Sequence, residues 1–129
     1  MQIHQSAEDY LETILMLSQR LGKVRSSDVV TELGFTKASV SIAMKKLREN
    51  GYIAVDGEGN LTLLEPGLEI AQRIYSRHRL LTHFFVQLGV DEQTAAEDAC
   101  KAEHILSEQT LEKIRESALR NDAAHPQAK

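Results

Sequence analysis

The stretch TKASVSIAMKKLRENGY, residues 36–52, decides the fold of this 129-residue chain. Thr36 is a favourable N-cap, and apolar residues follow it at steps of four and three, the spacing of one helix face. This face consists of Val40, Met44 and Leu47. Gly51 is a helix stop, and β-prone residues come directly after it. The stretch therefore predicts a helix from residue 36 to about residue 50, with one buried face and a strand behind it.

Two further helices are predicted before this stretch. The first begins at Ser6, a candidate N-cap, and closes at Gly22. The second covers residues 27–33, and Gly34 is its stop. The tight turn at Gly34 and Phe35 thus separates two capped helices, which is the arrangement of a helix-turn-helix.

A β-hairpin is predicted after the third helix. Residues 52–55 and 61–64 are β-prone, and residues 56–60 between them are dense in Asp, Gly and Asn. Residues 65–67, Glu-Pro-Gly, then break the pattern. Three helices followed by a hairpin is the order of a winged helix-turn-helix, and a generic α+β domain is the alternative.

The second half of the chain predicts helices only. A long helix over residues 68–88 is followed by one that Asp91 caps, reaching about residue 106, and by one that Ser107 caps, reaching about residue 119. The polar residues 121–129 predict a disordered tail. The predicted fold class is mainly α: a winged helix-turn-helix in residues 1–66, an all-helical domain in residues 67–120 and the tail.

Charge is unevenly distributed along the chain. The total of 15 Lys and Arg against 19 Asp and Glu gives a net charge of −4, which taken alone argues against a nucleic-acid partner. Residues 36–48, however, carry four basic residues and no acidic ones. A Lys-rich helix face is often merely solvated, but on the second helix of a helix-turn-helix it predicts DNA binding. The predicted DNA-binding residues are Thr36, Lys37, Ser39, Ser41, Lys45, Lys46 and Arg48.

Six residues have side chains that suit a divalent transition metal. Cys100, Glu103 and His104 are spaced i, i+3, i+4, so they share one face of the fifth predicted helix. His78 lies on the apolar stripe of the fourth helix, where an imidazole needs a partner. Asp9 and Glu12 add two carboxylates on the first helix. The spacing does not show that the three segments converge, and each residue also has an ordinary structural interpretation: a buried thiol, a hydrogen-bonded core histidine, a helix cap or a solvated carboxylate.

These residues stand within stretches that resemble a known family. The stretches are SAEDYLETI (6–14), the 36–52 stretch, LTLLEPG (61–67), RHRLL (77–81) and EDACKAEHILS (97–107). In their residues and order they resemble the diphtheria toxin repressor/manganese transport regulator (DtxR/MntR) family of metal-dependent transcriptional repressors. The resemblance covers residues 6 to about 120.

The resemblance implies a function, a partner and a ligand set. It implies a cytoplasmic homodimer, not an enzyme, that binds a palindromic double-stranded DNA operator when Fe²⁺ or Mn²⁺ is bound. Co²⁺, Ni²⁺, Zn²⁺ or Cd²⁺ would be alternatives in vitro. The second domain would bind metal and dimerise. The implied main site comprises Asp9, Cys100, Glu103 and His104, and Glu12 and His78 would complete an adjacent second site.

Four positions depart from the branches of that family. Manganese-sensing members have a carboxylate at the position of Cys100, and iron-sensing members have a Met at the position of Asp9. Iron-sensing members also have a Glu at the position of Thr82 and a His at that of Ala96. A soft thiolate favours Fe²⁺ and a hard carboxylate favours Mn²⁺, so the chain combines features of both branches. We also expect the SH3-like C-terminal domain of the iron branch to be absent.

Other function classes are less well supported by the sequence. The N-terminus does not resemble a secretory signal, no apolar run approaches the ~20 residues of a membrane span, and Cys100 is the only cysteine. We therefore expect a reducing cytoplasm, no membrane partner and no small-molecule substrate. The alternatives are a metal-independent winged-helix regulator that senses a small molecule or oxidation at Cys100, a small metallohydrolase, and a structural dimerisation protein.

Overall fold

The computed structural model describes residues 5–124, and the predictions for residues 1–4 and 125–129 lie outside this range. Within it the chain forms six helices and three short strands. These are α1 (Gln5–Leu21), β1 (Val24–Arg25), α2 (Ser26–Leu33), α3 (Lys37–Glu49), β2 (Ile53–Val55), β3 (Asn60–Leu63), α4 (Glu65–Gln87), α5 (Glu92–Ala102) and α6 (Glu108–Ala124). The predicted mainly α fold with a helix-turn-helix and a hairpin is confirmed.

The chain divides inside α4 into two compact units, the first ending at Arg73 and the second beginning at Ile74. The sequence placed this boundary after residue 66, where Pro66 and Gly67 interrupt the pattern. In the structure both residues belong to the first turn of α4, where a proline is tolerated because its missing N–H has no helical partner. The helix therefore begins earlier than the predicted residue 68.

Gly67 is required at that helix start by packing. A Cβ atom there would lie 2.2 Å from the carbonyl oxygen of Tyr52 and 3.3 Å from Leu11. Tyr52 accepts a hydrogen bond from the Leu64 N–H at 3.0 Å, which closes the end of the hairpin. The start of α4 is thus packed directly against the hairpin of the first unit.

The sheet of the first unit is antiparallel, with strand order β1-β3-β2. Ile53 pairs with Leu63 across the predicted hairpin, and Val24 pairs with Leu61 on the other edge of β3. The sequence did not predict β1, because two residues are too few to show an alternating pattern. Through its pairing with β3, β1 joins the segment before α2 to the hairpin.

The turn between α2 and α3 has the predicted chemistry. Gly34 adopts φ +69°, the left-handed conformation that favours glycine, and its N–H donates to the Val30 carbonyl at 2.9 Å. Thr36 caps α3 by accepting the Ser39 N–H at 3.1 Å. Phe35 packs edge-on against Tyr10 of α1, with ring centroids 6.0 Å apart. These contacts hold α3 in the helix-turn-helix, and its predicted apolar face (Val40, Met44, Leu47) is buried.

The second unit packs the remainder of α4 with α5 and α6 around buried Leu81, Ala99 and Leu111. Two predicted helix ends were wrong. The fifth helix ends at Ala102, before the predicted residue 106, and α6 continues to Ala124, beyond the predicted residue 119. Residues 121–124 are therefore helical and do not belong to a disordered tail.

Polar contacts to α4 explain the longer α6. Asn121 donates to the Gln87 side-chain oxygen at 3.0 Å, and Gln87 donates to Asp122 at 3.0 Å. Asp122 also lies 2.9 Å from His83 Nε2. These contacts bridge residues more than 30 apart in sequence, so the local polarity of the segment gave no indication of them. Among the described residues, no helix is long and apolar enough to cross a membrane.

Candidate metal centre and nucleic-acid interface

The basic side chains of α3 form an exposed surface, which we call the basic face. It comprises Lys37, Lys45, Lys46 and Arg48. All four are exposed, and no ion pair within residues 5–124 engages them. Because their charge is not compensated locally, this face can attract phosphate groups. Ser41, the small polar residue between them, is also exposed.

Two of the predicted DNA-binding residues have a structural role as well. The Thr36 hydroxyl donates to the Ser39 hydroxyl at 2.8 Å while accepting the Ser39 N–H, so both side chains help to begin α3. Sequence reasoning did not single out Ile42, which is 59% exposed on this helix. Its position two residues after buried Val40 and two before buried Met44 is the signal that could have identified it.

The candidate metal centre of the second unit is built around Glu103. Its side chain is completely buried, and its two carboxylate oxygens face different imidazoles. Oε2 lies 3.1 Å from His78 Nδ1, and Oε1 lies 3.4 Å from His104 Nε2. The His104 side chain is 1% exposed and that of His78 is 20% exposed. The structure thus brings together three of the six predicted ligands within this unit.

The sequence predicted that Cys100, Glu103 and His104 lie on one helix, and this prediction is wrong. Cys100 lies on α5 and is exposed, but α5 ends at Ala102. Glu103 is the C-cap and keeps helical dihedral angles, with its N–H bonded to the Ala99 carbonyl at 2.9 Å. His104 lies in the turn that follows. We call residues 103–107, between α5 and α6, the linking turn.

Asp9 and Glu12 lie in the first unit, on α1. Since α1 begins at Gln5, Asp9 is inside the helix, and the interpretation of Asp9 as a helix cap is wrong. Asp9 is half-buried, and Glu12 is 5% exposed. Their i, i+3 spacing places both carboxylates on the same side of α1. The buried carboxylate of Glu12 stays a predicted metal ligand.

The residues of the second unit fit a divalent metal ion. Among the described residues, the buried Glu103 Oε1 has no hydrogen-bond partner, although it lies close to His104. Leaving such an oxygen unsatisfied costs about 1–3 kcal/mol or more, and a cation beside it would remove that cost. A carboxylate between two imidazoles is a donor set suited to Fe²⁺, Mn²⁺ or Co²⁺.

Comparison with known families gives two adjoining matches along the chain. Residues 2–61 match the N-terminal DNA-binding domain of the iron dependent repressor, and residues 64–126 match its metal binding and dimerisation domain. The chain belongs to the iron-dependent repressor (DtxR/MntR) family. Members of this family are metal-dependent DNA-binding transcriptional repressors that dimerise, and are not enzymes. The predicted family and general function are confirmed, and the family does not distinguish Fe²⁺ from Mn²⁺.

Curated relatives cover most of the chain. An HTH-type transcriptional regulator of Methanocaldococcus jannaschii is 37% identical over 113 residues, which are 86% of this chain and 90% of the relative. The HTH-type transcriptional regulator MntR of Bacillus subtilis is 35% identical over 109 residues, 84% of this chain and 77% of the relative.

Solved structures share the fold. A manganese-dependent transcriptional repressor in complex with manganese aligns with a TM-score of 0.78 and 29% identity, over 87% of this chain and 52% of that one. The manganese regulator SloR aligns with a TM-score of 0.74 and 26% identity, over 90% and 54%. The chain therefore spans about half the length of these solved structures. The assignment of individual residues to metal or DNA stays a prediction.

Proposed function

We propose that this protein is a cytoplasmic, homodimeric repressor that binds a palindromic operator when Fe²⁺ or Mn²⁺ is bound. The observation that carries the proposal is the buried carboxylate of Glu103, which lies between His78 and His104 and has an unsatisfied oxygen. The exposed basic face of α3 supplies the DNA-binding half of the proposal. Family membership supports both halves.

The proposed metal ligands come from α1, α4, α5 and the linking turn. They are Asp9, Glu12, His78, Cys100, Glu103 and His104. In the second unit Glu103 already has the two imidazoles as neighbours, so little rearrangement is needed there. Asp9 and Glu12 are proposed from their spacing, from the burial of Glu12 and from the family resemblance.

In the proposed mechanism Asp9, Glu12 and Glu103 would supply carboxylate ligands, and a bound divalent cation would supply the positive charge that compensates them. Without it, the charges of Asp9, Glu12 and Glu103 oppose close approach. The ligand residues would thereby select one arrangement of the protein. Because DNA would prefer that arrangement, metal affinity and DNA affinity must be coupled reciprocally.

The basic face of α3 performs the DNA recognition in this proposal. The N-terminal residues of α3 approach base edges in the major groove, and Lys45, Lys46 and Arg48 contact phosphates. In a homodimer the two α3 helices are related by a two-fold axis. The operator is therefore expected to be a palindrome whose half-sites lie about 34–36 Å apart or a multiple of that distance.

A test of the proposal replaces Glu103 by Ala and measures binding to labelled operator DNA by fluorescence anisotropy, without oxygen. Wild type should bind in the presence of Mn²⁺ or Fe²⁺ and lose about 100-fold in affinity with a chelator, which lies within the usual range for the coupling of two sites. Glu103→Ala should bind the operator weakly both with added metal and with chelator, because the central carboxylate is gone. Far-ultraviolet circular dichroism checks that the fold is retained.

The control variant is Glu97→Ala, which removes an exposed carboxylate from α5. It should behave as wild type. If Glu103→Ala still responds to metal as wild type does, the assignment of Glu103 to the metal site is wrong. A series with Zn²⁺ and Co²⁺ added to Mn²⁺ and Fe²⁺ ranks the metals in the same assay.

One observation favours a second function. The Cys100 thiol is exposed, and an exposed thiol can be oxidised without metal. A regulator that senses oxidation at Cys100 would bind DNA equally well with and without chelator and would respond to peroxide. Cys100→Ser would abolish the response to peroxide, and the variant would still bind DNA equally well with and without chelator.

A further inference from the structure

We propose that Arg77 is a positioning residue that fixes the linking turn so that Glu103 and His104 present their side chains to the metal. The inference rests on the proposed metal site. Arg77 lies on α4, directly before His78, and its side chain is 14% exposed. It is not one of the predicted ligands, since a guanidinium cannot bind a cation.

The guanidinium of Arg77 bridges both ends of the linking turn. Nη1 donates a hydrogen bond of 3.1 Å to the backbone carbonyl of Glu103, the first residue after α5. Nη2 donates to Oε1 of Glu108, the first residue of α6. One side chain on α4 thus holds the residues that begin and follow the turn.

The carbonyl of Glu103 needs such a donor. The last carbonyls of an α-helix lack intrahelical partners, and the chain does not continue as a helix after α5. An arginine side chain from elsewhere can satisfy one of them. Because the peptide group is planar, holding this carbonyl also fixes the plane of the peptide bond that leads into His104.

Glu103 is therefore tethered at two points by consecutive residues of α4. Arg77 holds its backbone carbonyl, and His78 lies 3.1 Å from its carboxylate. If the backbone tether is removed, the carboxylate and the His104 imidazole lose their common orientation. Ligand orientation by such neighbours typically contributes 10–100-fold to metal affinity.

Arginine is suited to this role by its shape. Its planar fork offers five N–H donors in fixed directions, so one group can reach a carbonyl and a carboxylate at once. A lysine has the same charge but presents it as a point. Arg77→Lys should therefore keep one of the two contacts and only part of the effect.

The test measures Mn²⁺ affinity of the full chain by electron paramagnetic resonance, together with the Co²⁺ absorption spectrum and the melting temperature of the metal-free protein. Arg77→Met should weaken Mn²⁺ binding by about tenfold and change the Co²⁺ spectrum, because ligand geometry changes. Arg77→Lys should give an intermediate loss, and this variant keeps the test decisive if Arg77→Met does not fold.

The matched control is Arg79→Met, which removes the same charge from the same helix. Arg79 is exposed and lies over the ring of Tyr75, 5.8 Å from its centroid. Mn²⁺ affinity and the Co²⁺ spectrum should stay at wild-type values in this variant. A comparable loss in Arg79→Met would mean that general charge, not positioning, is responsible, and would overturn the proposal.

Two further outcomes distinguish this inference from the proposed function. If Arg77→Met and Arg77→Lys lower the melting temperature but bind Mn²⁺ like wild type, Arg77 has only a structural role and the inference fails alone. If wild type itself binds neither Mn²⁺ nor Co²⁺, the proposed function fails and the inference fails with it.

Discussion

The two regions proposed to carry function place their charges in opposite environments. The basic face of α3 is exposed, and no ion pair within the described residues engages it. The carboxylate of Glu103 in the second unit is completely buried between two imidazoles. An exposed charge costs little folding energy and can attract a polyanion at a distance, whereas a buried carboxylate costs stability until a partner satisfies it.

The two regions are expected to respond differently to substitution. Substitutions on the basic face should change DNA binding and leave the free energy of unfolding unchanged. Substitution of Glu103 by Gln should weaken metal binding and should raise the free energy of unfolding of the metal-free protein. The two regions can therefore be separated by measuring stability and binding on the same variants.

The largest effect is expected from reversing two charges of the basic face. Lys45→Glu with Lys46→Glu should weaken metal-activated operator binding by at least about 100-fold, since two phosphate contacts become repulsive. The melting temperature should stay within a few degrees of wild type because both side chains are exposed. Fluorescence anisotropy at several salt concentrations and a thermal melt measure the two quantities.

The control for this variant carries the same charge change elsewhere. Lys113→Glu with Arg115→Glu alters two exposed residues of α6 and should bind the operator like wild type. Equal losses in both double variants would show that net charge alone governs binding. The basic face would then have no specific role, and the contrast between the two regions would be lost.

The second effect concerns stability without metal. Glu103→Gln removes a buried charge whose Oε1 has no hydrogen-bond partner among the described residues, so the metal-free protein should become more stable by about 1–2 kcal/mol. Added Mn²⁺ should stabilise wild type but not the variant, because the variant has lost the central ligand. Urea unfolding with and without Mn²⁺ gives both values.

Glu97→Gln provides the comparison for that measurement, because this residue of α5 is exposed. Its free energy of unfolding should change by less than about 0.5 kcal/mol, as is usual for surface substitutions. A metal-free Glu103→Gln variant that is less stable than wild type would contradict the interpretation that Oε1 of Glu103 is unsatisfied.

The first unit was largely predictable because its determinants are local. The cap at Thr36, the left-handed Gly34 and the spacing of Val40 and Met44 each act within a few residues, and the structure confirms all of them. The two-residue strand β1 was missed, since its pairing with β3 depends on residues far along the chain. Exposure of the basic face followed from helix periodicity once α3 was recognised.

The candidate metal centre was predictable in residue identity but not in geometry. The spacing of Cys100, Glu103 and His104 indicated metal chemistry, yet it implied one helical face where α5 in fact ends at Ala102. The role of Arg77 was not visible, because its contacts with Glu103 and Glu108 span 26 and 31 residues. Contacts of this range depend on tertiary packing, which periodicity does not report.

The smallest effect is expected at Cys100, which lies on α5 one turn before Glu103 but is exposed. Cys100 is thus exposed, as the basic face is, but lies close in sequence to the buried Glu103. Its substitution tests whether an exposed residue can belong to the metal site. Cys100→Glu replaces a soft sulfur donor by a hard carboxylate, so the ratio of Fe²⁺ to Mn²⁺ activation should shift toward Mn²⁺ by about fivefold, on the order of 1 kcal/mol. Anaerobic operator-binding titrations with each ion measure the ratio, and Cys100→Ser controls for loss of the thiol alone. If the ratio of Fe²⁺ to Mn²⁺ activation is unchanged in both variants, Cys100 does not belong to the metal site.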